Sequence, residues 1–175
     1  MRKLFFLLAV TLLAAAPLAA QRNETPLAEL YAGASLLRND AFAFGGRELF
    51  GGWQASLNWN HSDVLGFKGD FGGHYRSIGG INFHQHEYLF GLQLSARSHR
   101  ATGFLHALAG AVTFGGAGIS STGTALAFGG GVDMHAGKHF AIRAVQVDYL
   151  PKHLEGEWFH DVRVSAGIVW RIGEK

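Results

Sequence analysis

From residue 49 to residue 60, apolar and polar positions alternate one by one. Leu49, Gly51, Trp53, Ala55, Leu57 and Trp59 fall on one face, and Phe50, Gly52, Gln54, Ser56, Asn58 and Asn60 on the other. A period of two marks an extended strand whose two faces meet different surroundings. The pattern returns at 63–75, with Leu65, Phe67, Phe71 and Tyr75 opposite Lys68, Asp70 and His74. It returns at 86–97, with Tyr88, Phe90, Leu92, Leu94 and Ala96 opposite Glu87, Gln93, Ser95 and Arg97. It closes the chain at 159–172, where Val162, Val164, Ala166, Ile168, Trp170 and Ile172 oppose Asp161, Arg163, Ser165, Gly167 and Arg171.

Looser alternation fills the intervals at 27–38, 104–114, 124–135 and 140–150. In the last of these the apolar parity changes from Phe140 and Ile142 to Val145, Val147 and Tyr149, which places a β-bulge near Ala144. Eight strands result. Between them long glycine-rich or polar stretches (39–48, 76–82, 115–123, 151–157) take turns with short ones (60–62, 98–100, 136–138). Such taking of turns predicts an all-β fold: an eight-stranded antiparallel up-and-down transmembrane β-barrel, with long external loops, short periplasmic turns and both termini on the periplasmic side.

The first twenty residues follow a different rule. Arg2 and Lys3 precede an apolar run, and the small-residue stretch Ala14–Ala20 ends it before Gln21. That order is expected of a secretory signal peptide cleaved near Ala20, leaving residues 21–175 as one barrel domain in the outer membrane of a Gram-negative-type bacterium. The run is short for a helix crossing about 30 Å of hydrocarbon. Export also changes the charge. Of 15 Lys+Arg against 13 Asp+Glu, Arg2 and Lys3 leave with the leader, so the expected mature chain is balanced and gives no support for nucleic-acid binding. With no cysteine in the sequence, neither a disulfide framework, a thiolate metal site nor a lipid-bearing cysteine is expected.

A strand that crosses lipid must satisfy its backbone within the sheet, so only a closed barrel serves, apolar outside and polar within. On that reading Lys68, Asp70, Glu87, Asp133, Arg143 and Arg163 form a charge network in the lumen. Gly66, Gly72, Gly91, Gly129, Gly131 and Gly167 make room for those long side chains. Trp53, Trp59, Phe67, Tyr75, Tyr88, Tyr149 and Trp170, near strand ends or flanks, are expected to sit at the lipid interfaces.

Gly129-Gly130-Gly131-Val132-Asp133, a short turn, Ala141-Ile142-Arg143 and then Asp148-Tyr149 resemble the penultimate hairpin of OmpA-like outer-membrane β-barrel domains. Gly167-Ile168-Val169-Trp170-Arg171-Ile172 is similar to their closing strand. The resemblance covers the layout of the mature chain through loose motifs. It implies the barrel part alone, since no peptidoglycan-binding segment follows in this sequence. It also implies that Trp170 and Ile172 carry the signal read by the barrel-assembly machinery, although the chain ends in Gly173-Glu174-Lys175 rather than an aromatic.

Chemistry is sparse by comparison. His84 and His86 share a strand face where a metal could bridge them, but structural sites want four ligands and no third is nearby in sequence, so no metal or other cofactor is expected. His61-Ser62-Asp63 is a turn rather than a triad, and Gly115-Gly116-Ala117-Gly118 lacks the lysine and context of a phosphate loop, which leaves it a flexible external loop. Some eight-stranded outer-membrane barrels are lipid A deacylases or acyltransferases, for which Ser77, His84 and Glu87 are the candidates here, with no spacing that supports the chemistry. The expected role is structural or surface-interacting and not enzymatic. The expected partners are outer-membrane lipid and lipopolysaccharide, with the barrel-assembly machinery during biogenesis, and the expected state is a monomer. A narrow pore for ions or very small solutes is the alternative.

Overall fold

A computed structural model describes residues 25–40 and 48–174. The expected signal peptide at 1–20, its cleavage point and residues 41–47 lie outside the described residues. Eight strands follow one another: β1 (Ala28–Asn39), β2 (Glu48–Asn60), β3 (Leu65–Ile78), β4 (Ile81–Arg97), β5 (Ala101–Gly116), β6 (Ile119–His135), β7 (Phe140–Leu154) and β8 (Glu157–Ile172). Each pairs antiparallel with the next, and β8 pairs with β1 from Ala28↔Ile172 to Arg38↔Val162, closing the sheet into a barrel.

The stagger of this closure can be walked pair by pair. Ala28 faces Trp59, and the row continues through Phe67, Leu92, Ala107, Phe128, Tyr149 and Val162 before it meets β1 again at Arg38. The row thus returns ten residues above its start, and a stagger of this size goes with strands tilted about 40° to the barrel axis. At about 3.3 Å per residue along such strands, ten residues rise about 25 Å, the height of an apolar band on an outer-membrane barrel. The register slips in both ladders of β7: Ala144 is left without a partner against β6, and Ala144 and Val145 against β8. This bulge lets Ile142 and Val147 both face outward although their positions differ in parity.

The long external loops expected at 76–82, 115–123 and 151–157 are not loops. The strands run on through them and turn over two residues each: Gly79-Gly80, Ala117-Gly118 and Glu155-Gly156. Both residues of every pair have positive φ, 58° and 83°, 54° and 81°, 52° and 88°. That is the signature of the type I′ turn, whose twist matches paired strands and which strongly favours glycine at its second position. Gly115 and Gly116 accordingly belong to β5 and not to a flexible loop. At the opposite end, the short connections match their expected places, and Ser62 Oγ there accepts the backbone N–H groups of Val64 and Leu65.

The two surfaces of the sheet are inverted relative to a water-soluble protein. Leu30, Leu57, Phe90, Leu92, Leu94, Ile142 and Ile168 are exposed on the outer wall. Lys68, Asp70, Glu87, Asp148, Asp161 and Arg163 are buried inside.

Among the described residues, Ala117 and Glu155 are the non-glycine residues that adopt the left-handed backbone. Ala117→Asn should raise stability by about 0.5–1 kcal/mol, because Asn adopts that region more readily than other side chains. Gly118→Val, at φ 81°, should lower it by about 1–2 kcal/mol. The urea midpoint of the barrel refolded in detergent checks both, with the m-value unchanged.

Candidate functional site

The side chains with chemistry collect in the lumen, and the alternation of each strand explains how they get there. Every inward position of β3, β4, β7 and β8 in the middle of the barrel is polar or glycine, apart from Leu89 and Leu150. At the lower end the Arg143 guanidinium grips Asp133 through two bonds, 2.7 Å from Nε and 2.9 Å from Nη2. Its plane lies between the rings of Tyr31 and Phe104, at 4.2 and 4.3 Å from their centres. Nη1 donates to Gln146 Oε1 at 2.7 Å, and Gln146 Nε2 donates to Asp148 at 2.8 Å.

Asp148 leads to the centre of the site. Arg163, fully buried, donates to Asp70 Oδ1 at 2.8 Å and to Asp148 Oδ2 at 2.7 Å, and stands 3.6 Å from Glu87. One cation thus serves three carboxylates. Lys68 adds a second positive charge 3.8 Å from Asp70, and its ammonium donates to His106 Nδ1 at 3.2 Å, which turns His106 Nε2 toward Asp148 at 3.0 Å. On the upper side Glu87 accepts from Gln85 at 2.8 Å and faces His74 Nδ1 at 3.3 Å. Gln85 and Asp161 both accept from Lys152 at 2.6 Å. The result is one polar ladder, from Asp133 near the lower end to Lys152 and Asp161 near the upper.

The six lumen positions singled out from the sequence therefore all point inward. They fall into two groups, Asp133 with Arg143 and the set Lys68, Asp70, Glu87 and Arg163, joined through Gln146 and Asp148. Asp148, Lys152, Asp161, His74, His106, Gln85 and Gln146 were not among them. Asp148 was within reach of the alternation, because the bulge that turns Val147 and Tyr149 outward turns Asp148 inward. Lys152 falls in the 151–157 stretch expected as a loop, which is strand up to Leu154.

The lumen is not polar throughout. Leu37, Phe50, Leu89, Leu108, Val112, Ala125, Ala127 and Leu150 pack together inside it and fill the space beside the ladder. Above them Phe83, Phe114, Leu154 and Phe159 line an open cup of about 480 Å³ at the upper mouth, with Glu155 and Glu157 at its edge. The glycines divide into two kinds. A Cβ on Gly72 would strike the Glu87 carboxylate, and one on Gly129 the Asp148 carboxylate, so these do make room for charged groups. Gly66 makes room for Asn58. At Gly91 and Gly167 the obstacle is neighbouring backbone, which the expectation of side-chain space did not foresee.

All seven aromatics expected at the lipid interfaces project from the outer wall, each 44–50% exposed. They are not all near strand ends, because the strands continue upward past several of them. Allowing for tilt and stagger, Trp53, Tyr88 and Tyr149 share a level about 15 Å above Trp59, Phe67 and Trp170, with Tyr75 higher still. Ser77 and His84 also face outward, whereas Glu87 points into the lumen from the other side of β4, so these three enzymatic candidates do not meet. His84 and His86 stand side by side on the outer wall, ring centres 5.4 Å apart, and among the described residues no group of three or more metal-binding side chains converges.

No known protein-family profile matches the chain, and no curated protein matches it. Solved structures do. Neisserial surface protein A superposes with a TM-score of 0.67 at 13% identity, over 83% of this chain and 97% of that one. Ail, the attachment invasion locus protein of Yersinia pestis, solved in complex with the heparin analogue sucrose octasulfate, superposes with a TM-score of 0.53 at 18% identity, over 83% and 99%. The chain therefore has the fold of small eight-stranded outer-membrane barrels.

Arg163 is the side chain on which most of the ladder converges. Arg163→Met keeps the bulk but leaves Asp70, Asp148 and Glu87 without their shared cation, and should destabilise the barrel by about 3–5 kcal/mol. Urea unfolding in detergent micelles reads the loss. A cost below about 1 kcal/mol would mean that Lys68 and His106 suffice to hold the three carboxylates.

Proposed function

We propose that this chain is an exported outer-membrane barrel of the OmpA-like kind, acting as a monomer in a structural or surface-interacting role in contact with lipopolysaccharide. The observation that carries this reading is the inversion of polarity: a closed sheet with leucines, isoleucines and aromatics on its outer wall and fully buried charges within. In water such a wall would drive association, whereas lipid accepts it, and closure leaves no sheet edge exposed. The likeness to a neisserial surface protein supports the surface location. Ail was solved with a polyanion, which supports a role in meeting anionic surface molecules. Trp170 and Ile172, both outward at the lower end of β8, are in place to be read by an assembly machinery.

The uninterrupted ladder from Asp133 to Asp161 favours a narrow ion pathway as the second reading. Against it stands the packing beside the ladder, where Leu89, Leu108 and Leu150 are buried and occupy the remaining lumen. A lipid-modifying activity has no such support, because Ser77 and His84 are divided from Glu87 by the sheet itself.

Two measurements on the chain refolded into detergent or lipid test these readings. On SDS gels the unheated sample should migrate faster than the boiled one, with a β-type circular dichroism spectrum. A chain that folds without detergent and shows no shift would sink the membrane reading. In planar bilayers the same sample should pass no resolvable unitary current, and steady single-channel steps would move the assignment to the pore.

A further inference from the structure

Four histidines lie together in height on the outer wall, and the lumen ladder uses none of them. His84 and His86 project outward from β4, His153 from β7 and His160 from β8. Allowing for tilt and stagger, they sit about 20–25 Å above Trp59, Phe67 and Trp170, about the height of an apolar band on an outer-membrane barrel, with Trp158, Ile81 and Ile119 exposed above them. Each cluster is built around a tyrosine. Tyr75 Oη contacts His86 Nε2 at 3.0 Å, with the rings edge-on. Tyr149 Oη contacts His160 Nδ1 at 2.6 Å, with the rings stacked at 3°. His153 packs on Trp158, ring centres 5.1 Å apart. In the closed order of strands, β3–β4 and β7–β8 lie on opposite sides of the barrel.

We propose that these two imidazole–tyrosine clusters bind the phosphate groups of the outer-leaflet lipids packed around the barrel, and bind them more tightly as the imidazoles take up protons. This rests on the membrane reading given above. A neutral imidazole has one donor and one acceptor, and the protonated ring has two donors. With one nitrogen held by the tyrosine oxygen, His86 keeps Nδ1 and His160 keeps Nε2 for an oxygen outside the protein. Histidine is the side chain that changes charge between pH 5 and 8 without help from its surroundings.

The neighbouring groups favour an anion. Around His84 and His86, β3 contributes Tyr75 opposite His84 and β5 contributes Thr113 and Gly115 opposite the pair, while Arg76, opposite Phe83 and paired with Glu48 of β2 at 3.6 Å, reaches the same hollow from the mouth side. Around His153 and His160, β6 contributes Thr122 and Thr124, and β1 contributes the exposed Arg38 opposite Val162, with Asp40 just beyond its end. Glu155 and Glu157 edge the mouth of the barrel instead of the outer wall. The position selects the partner. These side chains face sideways at the end of the apolar band, where lipid headgroups lie, and not upward where a soluble polyanion would approach.

The test uses the full chain refolded into phosphatidylcholine vesicles containing diphosphorylated lipid A, then extracted in detergent, washed, and assayed for lipid A retained per barrel. Heat-modifiability is read on every sample. Retention should be at least about five-fold greater near pH 5.5 than near pH 8, the value of one added charge at an anionic surface. The combined substitution His84→Gln, His86→Gln, His153→Gln and His160→Gln should abolish that excess and keep the heat shift. Dephosphorylated lipid A should show no excess. The proposal is overturned if the substituted barrel keeps the excess, or if the dephosphorylated lipid gives it too. It is also overturned if sucrose octasulfate binds with the same pH dependence while lipid A does not. Loss of the heat shift in the unsubstituted chain would be the separate failure of the membrane reading, and the proposal would fall with it.

Discussion

Hydrocarbon offers no partner to a backbone N–H or C=O, and the rest of this architecture follows from that constraint. A sheet of eight strands satisfies it only if its first and last members pair, which they do along almost the whole of β1. The seam is tight. Gly33 stands opposite Gly167, and a Cβ on either residue would collide with the backbone of the other strand. Stagger and tilt are then no longer free, because a ladder that must meet itself ten residues higher sets the inclination of every strand.

Closure creates an inside too narrow for bulk water and too polar to be left empty. The sequence meets this with charges that compensate one another within a few ångströms. Arg163 is central because a single guanidinium can direct donors to several acceptors at fixed angles, which an ammonium cannot do. Lys68 has the other task of approaching Asp70 while donating to His106. The apolar group around Leu89 and Leu108 occupies the volume that the ladder leaves, so the lumen is a packed interior with a polar seam through it.

The upper end departs from the plan of short turns below and long loops above. Three of its hairpins close in two residues, so the strands themselves, and the side chains on their outer wall, form most of the described surface there. The described side chains at this end are therefore presented by strands at fixed spacing. Such groups are held by the sheet and lose less freedom on binding than loop residues do.

Alternation of apolar and polar residues is a local property, and it was legible directly: the number of strands, the inward direction of Lys68 and Arg163, the outward direction of Trp59 and Trp170, and the bulge at Ala144 all follow from parity. Two-residue turns were hidden because glycine and polar residues serve loops and type I′ turns alike, and only the φ angles of Ala117 and Glu155 separate the two. That error placed Lys152 in a loop and removed it from the lumen. Which inward charges touch is a different kind of fact. Asp70 and Arg163 are far apart in the chain and meet across the lumen only when closure and stagger bring β3 and β8 to one height. Periodicity within a strand determined which face each side chain occupies. The tertiary structure alone decided its neighbours, because contact across a closed sheet depends on register summed around the whole barrel.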